Sequence, residues 1–402
     1  MTEIKFSIFG NQTSPLEDPA FLLNDFMQQA KCSVKVDRLS WEEAWPKLLG
    51  YGLYGGGPHI SQIGSIWTST LVSMNVLRPF SANEIAPLGG VEAFFRSTWQ
   101  DAALTDNTSA WAIPFYGFTY LVLYRRDLLR RAGVDEKTAF STAANMRETL
   151  EKLKSAGIPS PFVLPSGSPY RSRIHILASW IWGAGGDFIN PEGRHVLFAE
   201  PDALNGMEEF FELYRYLDDI DHNLTYEKCG IAFATGDAAA TIIGSSARTV
   251  LKEWHTREVV DNLGVAVVPG VPWVGGANLV IWKETRMHPE SEQAALALLK
   301  FLSTSASQTK LAQASSLVPS RVDAMEQLDY HYVPLKSAIN QSLLKGRSYH
   351  PVPLWVRIMS ELRKTFDSIT TEVVSFPERK VREILDSHLT PLAERFNLML
   401  SK

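Results

Sequence analysis

The sequence predicts an α/β fold made of two interwoven lobes, with a helical tail at the C-terminus. Three observations lead there. The chain opens with a β-α-β-α alternation, the mark of a layered α/β fold. A second α/β stretch occupies the middle, followed by strand and then helices. No Gly/Ser-rich linker separates these parts, which suits lobes joined by several chain crossings better than beads on a string.

The elements follow in order. IKFSIF at 4–9 alternates apolar and polar residues and reads as a strand. After a polar loop, Ala20 to Ala30 carries a helical pattern, and VKVDRL at 34–39 is a second strand. Ser40 is a good N-cap for a helix starting at Trp41, with Glu43 at its third position. HISQIG at 59–64 reads as a strand and the residues at 65–77 as a helix. The segment at 111–124 leads from a Pro/Gly turn into a hydrophobic strand, and the helix at 125–133 closes on Gly133. A helix over 145–156, a strand PFVLP at 161–165 and an apolar helix at 173–182 come next. Leu204, Met207, Phe211 and Tyr214 recur at helical spacing and mark an amphipathic helix. Residues 233–246 read as a short helix, a strand and a glycine turn; 263–270 and 277–283 as strands flanking a Pro/Trp/Gly turn. Helices at 291–302 and 304–314 and a mostly helical tail from Pro353 to Ser401 complete the chain. No internal repeat is visible.

Composition excludes several classes. The chain has 402 residues, suggesting two or three domains or one large one. Its net charge is −5, and no run of five like charges occurs, so the basic footprint of a nucleic-acid binder is missing. The longest basic stretches, RRDLLRR at 125–131 and ERKVRE at 378–383, read as solvated helix faces. No stretch of 18 apolar residues predicts a transmembrane helix. The start, MTEIKFSIFG, does not read as a signal peptide, so the chain is either cytosolic or has had a leader removed. Cys32 and Cys229 fit neither a zinc site nor a small disulfide framework, and two buried free thiols are expected. Aromatics are the informative excess: among 11 Trp, those at 67, 182, 273 and 355 sit beside Gly or Pro, where an indole can offer its face to a ligand.

Catalytic and cofactor motifs fail on inspection. GYGLYG at 50–55 matches a dinucleotide-binding pattern in letters only, because a helix rather than a strand precedes it and Gly56, Gly57 and Pro58 follow. It reads as a helix stop and loop. No Walker A segment, zinc-ligand spacing or G-x-S-x-G elbow exists. A glycosidase would need two facing carboxylates. Asp187 is the most interesting acid, open equally to a capping role and to ligand contact, and Glu253 and Glu258 fall in an exposed helical stretch. No catalytic residue, metal or cofactor is therefore assigned.

Six segments, in order, resemble the extracytoplasmic solute-binding proteins of carbohydrate ABC importers, the maltose-binding-protein-like family. They are AIPFYGFTYLVLYRRDLLRRAGVD at 112–135, the tryptophan and double-glycine block with its helix at 180–213, and FATGDAAATIIGSS at 233–246. GVAVVPGVPWVGGANLVIWKET at 264–285, the helices and Pro-x-Arg turn at 295–324, and HPVPLWVRIMSELRKTFDSI at 350–369 complete the set. The matches span nearly the whole chain. Two departures stand out: the family's secretion signal is missing, and Arg125 stands where the family often has Asn after the strand tyrosine.

The resemblance implies a bilobal periplasmic-binding-protein type II fold, α/β throughout, with a hinge. Lobe one would hold 1–113 and 271–320; lobe two would hold 114–270 and 321–402 with the helical tail. It further implies that a sugar, a di- or small oligosaccharide, binds in the cleft, that the lobes close on it, and that ABC permease subunits are the partner. A monomer without nucleic-acid partners, periplasmic or extracytoplasmic and membrane-anchored, is expected, its native leader removed. The candidate ligand residues are Asn11 and Gln12, Trp67, Tyr116, Trp182 and Asp187, Trp273 with Gly275 and Gly276, and Arg347, Tyr349 and Trp355. Trp41 and Trp45, at helical spacing, read as core. The alternatives are a cytosolic or membrane-associated sugar sensor on the same fold, or a binding protein for a solute other than sugar.

Overall fold

A computed structural model describes residues 2–10, 20–103, 110–167, 172–217, 224–245, 255–283, 288–315, 317–329 and 332–401. Asn11 and Gln12 lie outside the described residues. The strands, in chain order, are β1 (Glu3–Phe9), β2 (Ser33–Leu39), β3 (Ile60–Gly64), β4 (Ile113–Arg125), β5 (Ala240–Gly244), β6 (Leu263–Val267), β7 (Val274–Ile281) and β8 (Val318–Pro319). The chain is α/β, and helices close it, Trp355–Ser375 and Val381–Leu400. It divides into two compact units. Unit one comprises Met1–Phe118, Val274–His331 and Arg347–Trp355; unit two comprises Thr119–Trp273, Tyr332–Gly346 and Val356–Lys402.

Unit one is built on a sheet in the order β2-β1-β3-β7-β4. β1 runs parallel to β2, with Glu3 opposite Ser33 and Phe9 opposite Leu39, and parallel to β3. β7 runs antiparallel to β3, pairing Ile60 with Ile281 and Gly64 with Ala277. β1 is central, so its alternation is only half the story: Ile4, Phe6 and Ile8 are buried, and so are Ser7 and Phe9 on the other face. Ser7 is tolerated there because its hydroxyl donates to the Ser61 hydroxyl on β3 at 2.7 Å. One core face joins Phe6, Ile8, Ile60, Phe115, Leu279 and Ile281 to Leu298 and Leu302 of the helix Pro289–Leu302.

Unit two takes over β4 at Thr119. Tyr120–Tyr124 pair antiparallel with β5, and Leu121–Arg125 pair antiparallel with β6. The helix Arg173–Gly183 is buried from Arg173 to Trp182, which is why its sequence is apolar nearly all round. The amphipathic helix Pro201–Phe211 packs on it, and Gly206 permits the approach: a Cβ there would stand 2.4 Å from the Trp180 carbonyl oxygen. Arg173 is 1% exposed yet charged, because it pairs with Asp367 on the tail helix and donates to the Tyr214 hydroxyl at 3.0 Å. Arg125, the departure from the family pattern, is also buried and is held by Asp127 and Glu258.

Three expectations change. PFVLP at 161–165 forms only a bridge from Val163 to Thr241, because Pro161 and Pro165 have no N–H to give a ladder. The helix from Trp41 does not stop at Gly50 but runs to Tyr54, since Gly52 packs against Val76, where a Cβ would already be tight at 3.2 Å. Gly275 and Gly276 belong to β7 rather than to the turn before it. Cys32 and Cys229 are both buried, and neither forms a disulfide.

Candidate functional site

In unit one the three parallel strands β2, β1 and β3 all end at one sheet edge. Open α/β sheets bind ligands outside the carboxyl ends of their strands. Here that edge is aromatic. Phe9 is the last residue of β1. Trp41 follows β2 by two residues, because Ser40 caps the next helix by accepting the Glu43 N–H. Trp67 ends the single turn Ser65–Trp67 that leaves β3. These rings meet: Phe9 and Trp41 centroids are 4.1 Å apart, Trp41 and Trp67 5.8 Å, and Trp45 and Trp67 5.3 Å. Gly64 lets them close in, since a Cβ there would lie 3.3 Å from the Trp67 ring. Trp67 is 8% exposed, but Trp41 is 40% exposed and presents its ring to solvent.

Polar groups stand behind this platform. The Gln62 amide donates to the Tyr116 hydroxyl at 2.9 Å, while its carbonyl accepts the Phe9 N–H at 3.2 Å. Tyr116 is thereby fixed beside the end of β1. Gly276, at φ +138°, passes so close to Tyr116 that a Cβ would sit 2.1 Å from its carbonyl oxygen, so no other residue fits. Asn278 donates to Thr68 at 3.1 Å, fixing the start of the helix Thr68–Ser73 that follows Trp67.

The segment 347–355 forms a second wall of unit one. Ser69 and Thr70 donate to the carbonyls of Val352 and Pro353 at 3.1 and 2.9 Å. Tyr349 and Trp355 are buried against each other, ring centroids 4.2 Å apart. Arg347 is half-buried; its guanidinium donates to the Ser348 carbonyl at 3.3 Å and meets the His350 ring at 3.1 Å. Beneath lies Asp101, 4% exposed, which accepts from the Ser348 hydroxyl at 2.8 Å. Burial pushes its carboxyl up to about 6, against the opposing pull of the Ser348 and Ser65 hydroxyls. Ser65, Ile66, Asp101, Tyr349, His350 and Trp355 share a small cavity.

Unit two carries the remaining candidates in two places. Trp182 is buried and donates its indole N–H to Asp187 at 3.1 Å; Asp187 also accepts the Phe188 N–H at 2.8 Å. Trp273 is buried, stacked on His175 at 4.1 Å and 22°, with Tyr120 at 5.9 Å. Its backbone is tied at both ends, N–H to the Ser179 hydroxyl and carbonyl to Thr119. Burial, with Arg363 adding to it, holds His175 well below its usual range, so the ring facing Trp273 is neutral.

The structure thus groups Trp67, Tyr116 and Gly276 at one edge of unit one and Arg347, Tyr349 and Trp355 on a nearby segment of that unit, and pairs Trp182 with Asp187 and Trp273 with His175 in unit two. Sequence reasoning missed Trp41, Phe9, Gln62, Asp101 and His175. Helical spacing with Trp45 reads Trp41 as core, yet Trp41 is 40% exposed. Its position just past a strand end was the signal available. Among the described residues, no group of three His, Cys, Asp or Glu is placed to hold a metal, and no helix is long and apolar enough to cross a membrane.

A family model, the bacterial extracellular solute-binding protein, matches residues 11–309. The chain belongs to this family. A search of curated proteins finds no match. The chain is similar in structure to the sugar-binding protein MalE from the phytopathogen Xanthomonas citri, with 21% identity, a TM-score of 0.82, and coverage of 100% of this chain and 98% of that one. The GacH receptor of Streptomyces glaucescens, described unliganded and with acarbose, is 17% identical with a TM-score of 0.78, covering 100% and 99%. Maltose-bound MalE3 of T. maritima is 17% identical with a TM-score of 0.73, covering 100% and 99%. The fold is that of these binding proteins from end to end, helical tail included.

Proposed function

We propose that this extracellular solute-binding protein takes up a sugar, a di- or small oligosaccharide, and hands it unchanged to the permease subunits of an ABC importer. The observation that carries the reading is the aromatic platform of Phe9, Trp41 and Trp67 at the carboxyl edge of unit one, with Trp41 open to solvent. A sugar ring has apolar C–H faces and a hydroxyl rim. An indole face takes the former. Arg347 and His350, half-buried and already polarised against each other, suit the latter. Family membership and neighbours described with acarbose and maltose support the same ligand class. Trp182, Asp187 and Trp273 of unit two, and Asn11 and Gln12, are proposed as further ligand residues, with Tyr116, Gly275, Gly276, Tyr349 and Trp355 in supporting positions. The protein works outside the cytoplasm, as a monomer, free in a periplasm or anchored at the membrane.

The test is thermal unfolding against mono-, di- and trisaccharides, polyols and amino acids. A ligand at a hundred times its dissociation constant adds about 2.7 kcal/mol, which raises the midpoint by several degrees. A rise with one saccharide class, and recovery of that saccharide unaltered, is the expected result. No rise with any saccharide defeats the assignment; recovery of a cleaved product defeats the carrier role.

A further inference from the structure

Unit one has a second opening at the edge where β1 and β3 begin, opposite to the Phe9 end of β1. A cavity of about 980 Å³ lies there, walled by the end of the helix Trp41–Tyr54, the glycine loop 55–57, Lys5, His59 and Met74–Val76. Three features give it a chemistry. Tyr54 is 87% exposed and Leu53 62%, so an aromatic face stands clear at the rim without packing of its own. His59 accepts the Lys5 backbone N–H on Nδ1 at 3.1 Å, and burial with Lys5 holds its pKa below the usual value. The neutral ring therefore carries its proton on Nε2 as a donor. Asn75 accepts Lys283 Nζ on its side-chain carbonyl at 2.7 Å, which fixes the amide and leaves its NH2 to donate.

Acceptors are present as well. The last carbonyls of a helix have no partner within it, and those of Gly52, Leu53 and Tyr54 close this wall. Among the described lining residues Lys5 carries the full charge, while outside the lining Glu3 acts on His59 against it, Asp37 accepts from Tyr51 at 2.9 Å and Lys283 donates to Asn75. The carbonyl end of the helix disfavours an anion, and a purely apolar ligand would strand the donors. A ring with apolar faces and a rim of hydroxyls satisfies both kinds of group.

We infer that this pocket is a second, separate binding site for a neutral saccharide, with Tyr54 stacking on the ring and His59, Asn75 and Lys5 donating to its hydroxyls. It does not rest on the aromatic platform at the other edge. Its consequence is that one chain can hold a saccharide outside the cargo site, for example the end of a longer glycan.

The experiment is a nitrogen-15 amide spectrum of the full chain titrated with glucose, maltose, cellobiose, diacetylchitobiose and, separately, inorganic sulfate. The expected result is saturable movement of the Asn75 side-chain amide and the Gly56 and Gly57 signals with at least one saccharide. Tyr54→Ala and Asn75→Gly should each weaken that binding about tenfold or more. Both leave the fold intact, since Tyr54 is almost fully exposed and Asn75 sits at φ +58°, where glycine is at ease. Trp41→Ala and Trp67→Ala should leave it unchanged. The inference is overturned if no saccharide moves these signals, if sulfate alone does, if Tyr54→Ala has no effect, or if the response vanishes in Trp41→Ala. Movement here with a silent platform would sustain this site and defeat the other; the reverse would defeat this site alone.

Discussion

Replacing Trp41 with alanine tests the platform most sharply, because the ring is exposed enough to be removed and large enough to matter. A tryptophan offers roughly 250 Å². Forty per cent of that, the exposed share of Trp41, is about 100 Å² for a ligand to cover. At about 25 cal/mol per Å², full coverage is worth about 2.5 kcal/mol, close to seventyfold in Kd; half coverage is worth about eightfold. The stability cost should stay near 1–2 kcal/mol, because the residue is two-fifths exposed and packs at the rim, on Phe9 and Trp67 among others. Titration calorimetry with whichever saccharide stabilises the protein gives the answer, with Trp41→Phe as the control that keeps a ring. An eight- to seventyfold weaker Kd, largely restored by phenylalanine, is expected. A Kd within twofold of the parent would refute the stacking role.

Other perturbations have equally definite outcomes. Asp101 has its folded pKa raised from 3.8 to about 6 by burial, so the folded state holds its proton more tightly than the unfolded chain does. Stability from this group is present at low pH and is lost as pH rises from about 4 through 6; the gain of Asp101→Asn over the parent should therefore grow by up to about 3 kcal/mol across that window in urea unfolding, and a flat difference would contradict it. Asp367→Asn leaves the Arg173 guanidinium buried beside a neutral partner and should cost about 3 kcal/mol or more, whereas Arg173→Met with Asp367→Leu should recover much of the loss. Gly206→Ala forces a Cβ to within 2.4 Å of the Trp180 carbonyl oxygen and should lower Tm by several degrees through separation of two buried helices.

Much of the fold could be read from the sequence because local signals and tertiary needs agree. β1 alternates, Ser40 caps, and the helix Pro201–Phe211 keeps a buried stripe through Leu204 and Met207. Where they disagree, tertiary packing wins. Gly50 and Gly52 look like a helix stop, but Gly52 is needed against Val76 and the helix continues. Gly275 and Gly276 look like a turn, but Gly276 is needed beside Tyr116 within a strand. The site was less legible for the same reason. Trp41 and Trp67 carry no periodic signature of function; what distinguishes them is that separate strands end at one edge, a fact of topology. His175 and Asp101 acquire their chemistry from burial, which a single residue in a sequence does not announce.

The central claim is that a saccharide binds on the Phe9, Trp41 and Trp67 platform. The direct measurement is the indole N–H spectrum of the protein labelled in its 11 tryptophans, recorded with and without the stabilising saccharide, with Trp41 and Trp67 assigned by substitution. Both of these signals should move together along one saturating curve. Saturating sugar that shifts other indoles while Trp41 and Trp67 stay in place would contradict it.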